Sequence, residues 1–234
     1  MSRTIVIGDL HGCYDEALDL FERVGVTADD RVIFAGDLVD RGPKPRECVE
    51  LAMLHESVIG NHEEKHLQQR RRRSEDLVPD HARTRSLLGD EHYQYFSRLP
   101  YVIRLPEHGA AVVHAGAYPG RALGEQEPYH LLHIQCVAPP ERKSHWPSKA
   151  PESHRFWAND WLGPERLIFG HTVLDRAFVG PHAVGIDGGA AHGGELRAVV
   201  LPTWEIVSVP SRQTPKRPAR VAAFEVLPGV RCYS

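Results

Sequence analysis

The sequence predicts an α/β fold in which a parallel sheet is joined by helical crossovers. Over residues 1–61, three short apolar runs alternate with two segments whose apolar residues recur at helical spacing. Each apolar run ends in a Gly-Asp or Gly-Asn pair, as expected where a buried strand enters a turn. Strands that alternate with helices pair in parallel through crossover connections.

The elements of this first half follow in chain order. The predicted strands are TIVIGD (4–9), RVIFAGD (31–37) and SVIGN (57–61). The first crossover helix has apolar residues at helical spacing, namely Tyr14, Ala17, Leu18, Phe21 and Val24. PRECVELAML (45–54) predicts the second helix, because proline is favoured in a first helical turn. A polar helical stretch is expected over residues 62–73.

The second half departs from this alternation. Residues 74–100 are polar and helical in pattern, which predicts a cap-like insertion over about residues 74–108. Residues 138–156 are rich in Pro, Ser, His and charged side chains and predict a surface loop. The remaining predicted strands are AAVVHAG (110–116), RLIFGHT (166–172) and three consecutive antiparallel strands at 177–187, 195–203 and 204–210. We expect one domain over residues 1–211 and an extension over 212–234, with a possible edge strand at 221–227.

Composition excludes several classes of protein. The chain has 234 residues, 41% of them hydrophobic, and a net charge of −3, so it lacks the basic field typical of nucleic-acid binding. No apolar run approaches the roughly 18 residues that a transmembrane helix needs. The N-terminus enters a strand at once, without a signal-peptide pattern. The four cysteines are scattered and predict reduced thiols, hence a cytoplasmic protein.

Five segments place Asp, Asn or His at the carboxyl end of a predicted strand. They are GDLHG (8–12), GDLVDRG (36–42), GNHEE (60–64), HAG (114–116) and GHT (170–172). Ligands bind at that edge of open α/β sheets. The candidate metal ligands are Asp9, His11, Asp37, Asn61, His114 and His171. Oxygen and nitrogen donors without thiolate suit manganese first, and also iron, zinc, cobalt or nickel.

The same segments suggest a hydrolytic site. Asp37 could bridge two divalent cations, and a pair about 3.5–4 Å apart can activate water and hold a phosphoryl oxygen. His62 is a candidate general acid for the leaving group, with Asp40 orienting its ring. Arg41 is a candidate phosphate ligand through its guanidinium fork.

In this order, the five motifs resemble the phosphoprotein phosphatase family of metallophosphoesterases, which are calcineurin-like phosphoesterases. That family groups Ser/Thr protein phosphatases with bacterial diadenosine tetraphosphate hydrolases. The resemblance runs from Gly8 to about Leu201 and implies a four-layer β-sandwich flanked by helices, with two metals at the strand edge. It implies that Asp9, His11 and Asp37 hold one metal. It assigns Asp37, Asn61, His114 and His171 to the other.

The chain departs from the family pattern in the region of its second phosphate-binding arginine. RFWANDW (155–161) has Ala, Asn and Asp after Trp157, which leaves Arg155 as the candidate for substrate binding. With Arg41 as one clear fork, the first expectation is hydrolysis of phosphomonoesters, including phosphoserine and phosphothreonine, by a metal-held hydroxide. The alternative is a symmetrical dinucleoside tetraphosphate hydrolase, in which Arg155, Arg83 and Arg85 could anchor the phosphates. A weaker alternative is an inactive binding scaffold.

Most of the other polar residues predict no function. The run Arg70–Arg73 has acidic neighbours, including Glu63 and Glu64, and is interpreted as a solvated helical face. Cys13 is interpreted as a packed thiol, and His192 is a weak site candidate in a glycine-rich turn. Nine histidines are expected to be solvated: His66, His81, His92, His108, His130, His133, His145, His154 and His182.

Overall fold

The computed structural model describes residues 3–214, which form two five-stranded sheets and seven α-helices. The helices are α1 Tyr14–Val24, α2 Pro45–Ala52, α3 Asn61–Gln69, α4 Pro79–Leu87, α5 Asp90–Phe96, α6 Pro128–His133 and α7 Trp157–Asp160. The strands are β1 Thr4–Ile7, β2 Arg31–Phe34, β3 Glu56–Ser57, β4 Val102–Leu105, β5 Ala110–Val113, β6 Cys136–Val137, β7 Arg155–Phe156, β8 Arg166–Phe169, β9 Phe178–Val179, β10 Ala183–Gly185, β11 Glu195–Leu201 and β12 Glu205–Pro210.

The first sheet has the strand order β12-β11-β1-β2-β3. Strands β1, β2 and β3 are parallel, with Thr4 opposite Arg31 and Ile33 opposite Glu56. Strand β11 runs antiparallel to β1, and β12 runs antiparallel to β11. Helices α1 and α2 are the crossovers, so the predicted parallel unit is confirmed.

The second sheet has the strand order β4-β5-β8-β10-β9. Its three central strands β5, β8 and β10 are parallel, and the edge strands β4 and β9 are antiparallel to their neighbours. The short pair β6–β7 stands apart as a two-stranded sheet.

The two sheets pack face to face, and helices cover their outer faces. Alternate residues of one strand enter different cores: Ile5 and Ile7 face the helices α1 and α2, whereas Val6 faces the second sheet. The same alternation in β5 sends Ala111 and Val113 outward to the α6–α7 side and leaves Val112 between the sheets. Helix, sheet, sheet and helix are therefore four layers, as the family resemblance implied.

Three predictions of local structure are corrected. The segments at 177–187, 195–203 and 204–210 are not one antiparallel run: the first folds into the hairpin β9–β10 of the second sheet, and the others are β11 and β12 of the first. The third parallel strand spans two residues. The region predicted as a cap is helical over α4 and α5, but residues 102–105 form the edge strand β4.

The boundary at residue 211 between domain and extension is our proposal, and the edge strand predicted at 221–227 lies outside the described residues. Cys13, Cys48 and Cys136 are free and buried, as expected for packed thiols. Over residues 3–214, none of the helices combines the length and the apolar character that a membrane span requires.

Candidate active site

The candidate site lies on the loops that leave the carboxyl ends of the parallel strands of both sheets. Backbone strain marks these loops: within residues 3–214, six residues other than glycine have positive φ, and five of them belong to the motifs. They are His11, Asp37, Asp40, Arg41 and His171. Left-handed backbone costs a residue with a side chain about 1 kcal/mol or more, and such strain concentrates at functional sites.

Asp37 is at the centre of the site and faces two groups of side chains. Its Oδ2 lies 3.3 Å from His11 Nε2, and its Oδ1 lies 3.4 Å from His114 Nε2. The close approach requires Gly60, because a Cβ at that position would collide with the backbone nitrogen and Oδ1 of Asp37. The two oxygens of one carboxylate thus point in the directions that a bridging ligand needs.

The imidazoles of His11 and His114 are both held with Nε2 directed into the site. His11 Nδ1 donates to the carbonyl of Val39, and His114 Nδ1 donates to the carbonyl of Ala35, each at 2.8 Å. A carbonyl only accepts, so Nδ1 has the proton and Nε2 of the neutral ring has a lone pair. This backbone support is the usual way in which proteins orient histidine ligands.

Asn61, His171 and Asp9 complete the group. Asn61 Oδ1 lies 2.9 Å from both His114 Nε2 and His171 Nδ1. The backbone N–H of His171 donates to the carboxylate of Asp9, which connects the loop after β8 to the loop after β1. All of the six ligands predicted from the sequence are therefore brought to one place by five separate loops.

This donor set fits divalent metals. Two overlapping groups could each hold an ion, one of His11, Asp37 and His62 and one of Asp37, His114 and His171. His114 Nε2 faces the oxygen of Asn61 with no proton between two acceptors, an arrangement that a cation would stabilise.

The protonation states of the ligands are also consistent with metal binding. Burial lowers the pKa of His11 to about 3, and it lowers the pKa of His171 well below its usual value. Both rings therefore remain neutral at neutral pH, which is the form that a metal ligand needs. Burial opposes ionisation of Asp37, but the positive charge of the neighbouring His62 helps to hold its pKa well below the usual value.

His62 and Asp40 form the predicted pair. His62 Nδ1 lies 2.6 Å from Asp40 Oδ2, and its ring meets that of His11 edge-on. Burial lowers the pKa of His62, but the charge of Asp37 and the bond to Asp40 raise it more. The net upward shift favours the imidazolium, which is the form that a proton donor needs.

Asp40 has two further partners that the sequence interpretation missed. His66 Nε2 lies 2.9 Å from Asp40 Oδ1, and His81 Nδ1 lies 3.4 Å from Oδ2, with the two rings stacked 3.5 Å apart. Burial favours the neutral carboxyl, yet hydrogen bonds from the three histidines lower the pKa of Asp40 far below its usual value. Asp40 is therefore fixed by two residues besides the one it orients.

Glu63 holds the backbone of the site in place, and the sequence interpretation missed this residue too. It is fully buried, and its carboxylate accepts the backbone N–H groups of Asp37, Leu38, Val39 and Gly60. The carboxylate connects the start of α3 to the loop after β2. The sequence interpretation as part of a solvated helical face is wrong for this residue.

Arg41 extends over the ligands. Its Nη1 lies 2.5 Å from His11 Nε2, and its Nη2 lies 3.4 Å from His62 Nε2. Its backbone N–H donates to Asp80, so the loop is attached to α4. The guanidinium is thus directed into the site and is not paired with Asp40.

Two adjoining cavities open onto the site. The first, of about 300 Å³, contains Asp37, Arg41, Asn61, His62 and His171 in its walls, together with a group from the second half of the chain. That group comprises Tyr129, His133, Gln135, Ser144, His145 and Trp146. The second cavity, of about 440 Å³, shares Arg41, Gln135, Trp146 and His171 with the first. Residues 138–156, interpreted from the sequence as a surface loop, therefore form a wall of the site.

The arginines proposed to help Arg41 are engaged elsewhere. Arg155 is paired with Asp160 at 3.2 Å and is not in the walls of either cavity. Arg83 donates to the carbonyl of Gly42, and Arg85 donates to the carbonyl of Arg72. The structure thus brings Arg41 alone, of the arginines predicted to bind substrate, to the cavities.

The prediction that nine histidines are solvated is wrong for several of them. His66, His81, His92 and His130 are buried, because other segments of the chain cover the helices that contain them, and single-sequence patterns do not show which segments do so. His133 and His145 contribute to the first cavity, and His192, the weak candidate, contributes to the second.

Comparison with known protein families gives one match. Residues 2–175 match the family described as calcineurin-like phosphoesterase. Among curated proteins, the chain is 28% identical over 236 residues to the asymmetrical bis(5'-nucleosyl)-tetraphosphatase PrpE of Halalkalibacterium halodurans, covering 89% of this chain and 94% of that protein. It is also 28% identical over 238 residues to PrpE of Bacillus cereus strain AH187, covering 88% and 93% of the two chains.

Solved structures give the same picture. A crystal structure of a putative diadenosine tetraphosphatase superposes with a TM-score of 0.78 at 30% identity, covering 90% of this chain and 94% of that one. A protein serine/threonine phosphatase from Saccharomyces cerevisiae superposes with a TM-score of 0.56 at 17% identity, covering 93% and 82%. The second likeness is one of fold alone.

Proposed function

The chain belongs to the calcineurin-like phosphoesterase family, and on that premise we propose that it hydrolyses dinucleoside tetraphosphates asymmetrically. The curated relatives that cover most of the chain are named for that activity. The chain is a hydrolase by family, and the substrate is the proposed part. Two divalent metals are required, with manganese proposed first.

The observation that supports this function is the position of Asp37 between two sets of ligands. Its two oxygens face His11 on one side and His114 on the other. We assign Asp9, His11 and Asp37 to one metal and Asp37, Asn61, His114 and His171 to the second. When bound, the metals would supply positive charge for the phosphoryl oxygens and a lowered pKa for the attacking water.

The chain's own residues would bind the phosphoryl group and protonate the leaving group. Arg41 is directed over the ligands and would bind two oxygens of the phosphoryl group through its fork. His62 would give its Nε2 proton to the leaving oxygen, since its Nδ1 is held by Asp40. Asp40 would act as a positioning residue, because it keeps the ring in one orientation and favours the charged form.

A second candidate is the hydrolysis of phosphomonoesters, including phosphoserine and phosphothreonine, which the sequence placed first. The observation in its favour is that Arg41 is the one arginine in the walls of both cavities, which is sufficient for a single phosphoryl group. The names of the relatives support hydrolysis but not specificity for phosphoproteins. The inactive scaffold has little support, because the described residues include every proposed ligand and the His62–Asp40 pair.

Separation of the products of diadenosine tetraphosphate tests the proposal. Manganese-loaded protein should release equal amounts of ATP and AMP, resolved by anion exchange. Release of ADP alone would mean the symmetrical cut that the sequence suggested. Absence of cleavage, alongside turnover of a phosphothreonine peptide, would favour the second candidate instead.

A further inference from the structure

Trp146 stands at the boundary between the two cavities of the site. It lies in the walls of both, and 56% of its surface is exposed. Its ring lies 6.1 Å from the His171 ring at an angle of 32°. By contrast, Trp157 and Trp161 are fully buried, and Trp204 packs under the guanidinium of Arg166. An exposed indole beside a hydrolytic centre is suited to stacking against a planar group of the substrate.

A buried amide lies on the shared floor of the two cavities. Gln135 is 2% exposed and contributes to both, and its side-chain Nε2 has no hydrogen-bond partner among the described residues. The backbone of Gln135 is held by Ser144 Oγ and by the N–H of Trp157. A buried donor without a partner costs free energy unless a ligand accepts from it. Gln135 therefore indicates where an acceptor of the substrate belongs.

The two cavities differ in the groups that they offer. The first has the rings of Tyr129, His133 and His145 in its walls together with Trp146. The second has the exposed Lys149, for which the described residues provide no ion pair, and the hydroxyl of Thr172, which is buried without a partner. Besides the residues that the two cavities share, the first thus offers further rings, and the second offers a cation and a hydroxyl beside Pro147, Val173 and His192.

We infer that Trp146, Gln135 and Lys149 form a nucleotide-recognition subsite beside the metal ligands. The base of a nucleoside stacks on Trp146 in the first cavity. The Gln135 amide donates to an oxygen of the phosphate next to the reacting one, and Lys149 binds the phosphates beyond it in the second cavity. This inference rests on the proposed function, because it names the groups by which the same site would prefer a nucleotide to a simple phosphate ester.

The test is a comparison of two ligands that differ only in the nucleoside. ATP and inorganic tripolyphosphate are titrated calorimetrically into manganese-loaded protein, for the wild type and for Trp146→Ala and Trp146→Phe. Base stacking on an aromatic ring is worth about 5-fold or more in affinity. Wild type should bind ATP at least about 5-fold more tightly than tripolyphosphate. Trp146→Ala should remove that difference, and Trp146→Phe should keep most of it.

Trp204→Phe is the matched control, because Trp204 lies in the turn between β11 and β12 and not in either cavity. It should leave both affinities unchanged. Tryptophan fluorescence gives a second readout. ATP should quench the fluorescence of the wild type and of Trp204→Phe, but not that of Trp146→Phe. Equal weakening of ATP and tripolyphosphate by Trp146→Ala would indicate a structural role and overturn the inference, as would no effect on either ligand.

Lys149→Ala tests the second cavity separately. It should weaken the binding of ATP and of tripolyphosphate by a similar factor of about 2- to 5-fold, as expected for an exposed charge contact. The affinity for AMP should be unchanged. An effect on AMP as large as that on ATP would contradict the assignment of Lys149 to the distal phosphates.

The inference and the proposed function fail in different ways. If the wild type cleaves diadenosine tetraphosphate but Trp146→Ala still prefers ATP to tripolyphosphate as the wild type does, only the inferred subsite is wrong. If nucleotide binding depends on Trp146 but no dinucleotide is cleaved, only the proposed function is wrong.

Discussion

Replacement of Glu63 tests how the site is supported. The carboxylate accepts backbone N–H groups from four residues, at 2.9 Å from Asp37, Leu38 and Gly60 and at 3.3 Å from Val39. Glu63→Ala would leave all four donors buried without partners. Because each costs about 1 kcal/mol at the low end, the expected loss is ~4 kcal/mol in the free energy of unfolding. That is a large part of the roughly 5–15 kcal/mol typical of a domain.

Glu63→Gln keeps the size of the side chain and changes only its hydrogen-bonding groups. Oε2 accepts from Asp37 and Gly60, whereas Oε1 accepts from Leu38 and Val39. An amide can keep one pair of bonds, but its NH₂ must then face the other two donors. We expect a loss of about 2–3 kcal/mol, from two unpaired donors and their repulsion.

Urea unfolding followed by circular dichroism measures both variants in the protein without added metal. Glu64→Gln is the matched control, since Glu64 is the next residue of α3 and is half-buried, 3.9 Å from His133. It should change the free energy of unfolding by less than about 0.5 kcal/mol. A Glu63→Gln protein as stable as Glu64→Gln would refute the account of the buried carboxylate.

Asp37→Ala should lower bound metal from two ions per chain to less than one by elemental analysis, because both ligand sets share its carboxylate; retention of both ions would contradict the bridging role. His62→Asn should keep its metal but lose roughly 10²–10⁴ in kcat. The deficit should be smaller for nitrophenyl phosphate, and a loss of metal would make His62 a ligand. Asp40→Asn removes a hydrogen bond that raises the pKa of His62, so the pKa of His62 should fall. Because activity needs protonated His62, the loss of activity on raising the pH should begin at a lower pH than in the wild type. An unchanged pH profile would speak against the pair.

The sequence was sufficient for the sheet, its parallel strands and the edge where the motifs meet. Buried strands such as β1 and β8 are continuous apolar runs that end in glycine turns, and both signals are local. The six candidate ligands follow these strands directly, and topology brings such positions together. Local pattern thus predicted where the side chains would gather, while their roles remain proposals.

What the sequence did not reveal depends on contacts between distant segments. His66 and His81 are fifteen residues apart in the chain, yet their rings stack against each other beside Asp40. Glu63 belongs to a helix whose residues are polar except for Leu67, and its burial depends on the loop after β2 folding over it. No periodicity within a helix indicates which of its polar residues will meet another loop.

The wall made by residues 138–156 was missed for a similar reason. Its composition is that of a surface loop, and much of it is exposed. Gln135 and Trp146 reach the cavities because β6 pairs with β7 and brings this segment over the ligands. Pairing between two-residue strands has too weak a signal to be predicted from one sequence.

The central claim is that this site prefers a dinucleoside tetraphosphate to a phosphoprotein. Competition between diadenosine tetraphosphate and a phosphothreonine peptide, in one reaction with manganese-loaded protein, measures the ratio of their kcat/KM values directly. We expect a ratio of about 100 or more in favour of the dinucleotide, which corresponds to about 2.7 kcal/mol in transition-state binding. A ratio near one, or a preference for the peptide, would contradict it.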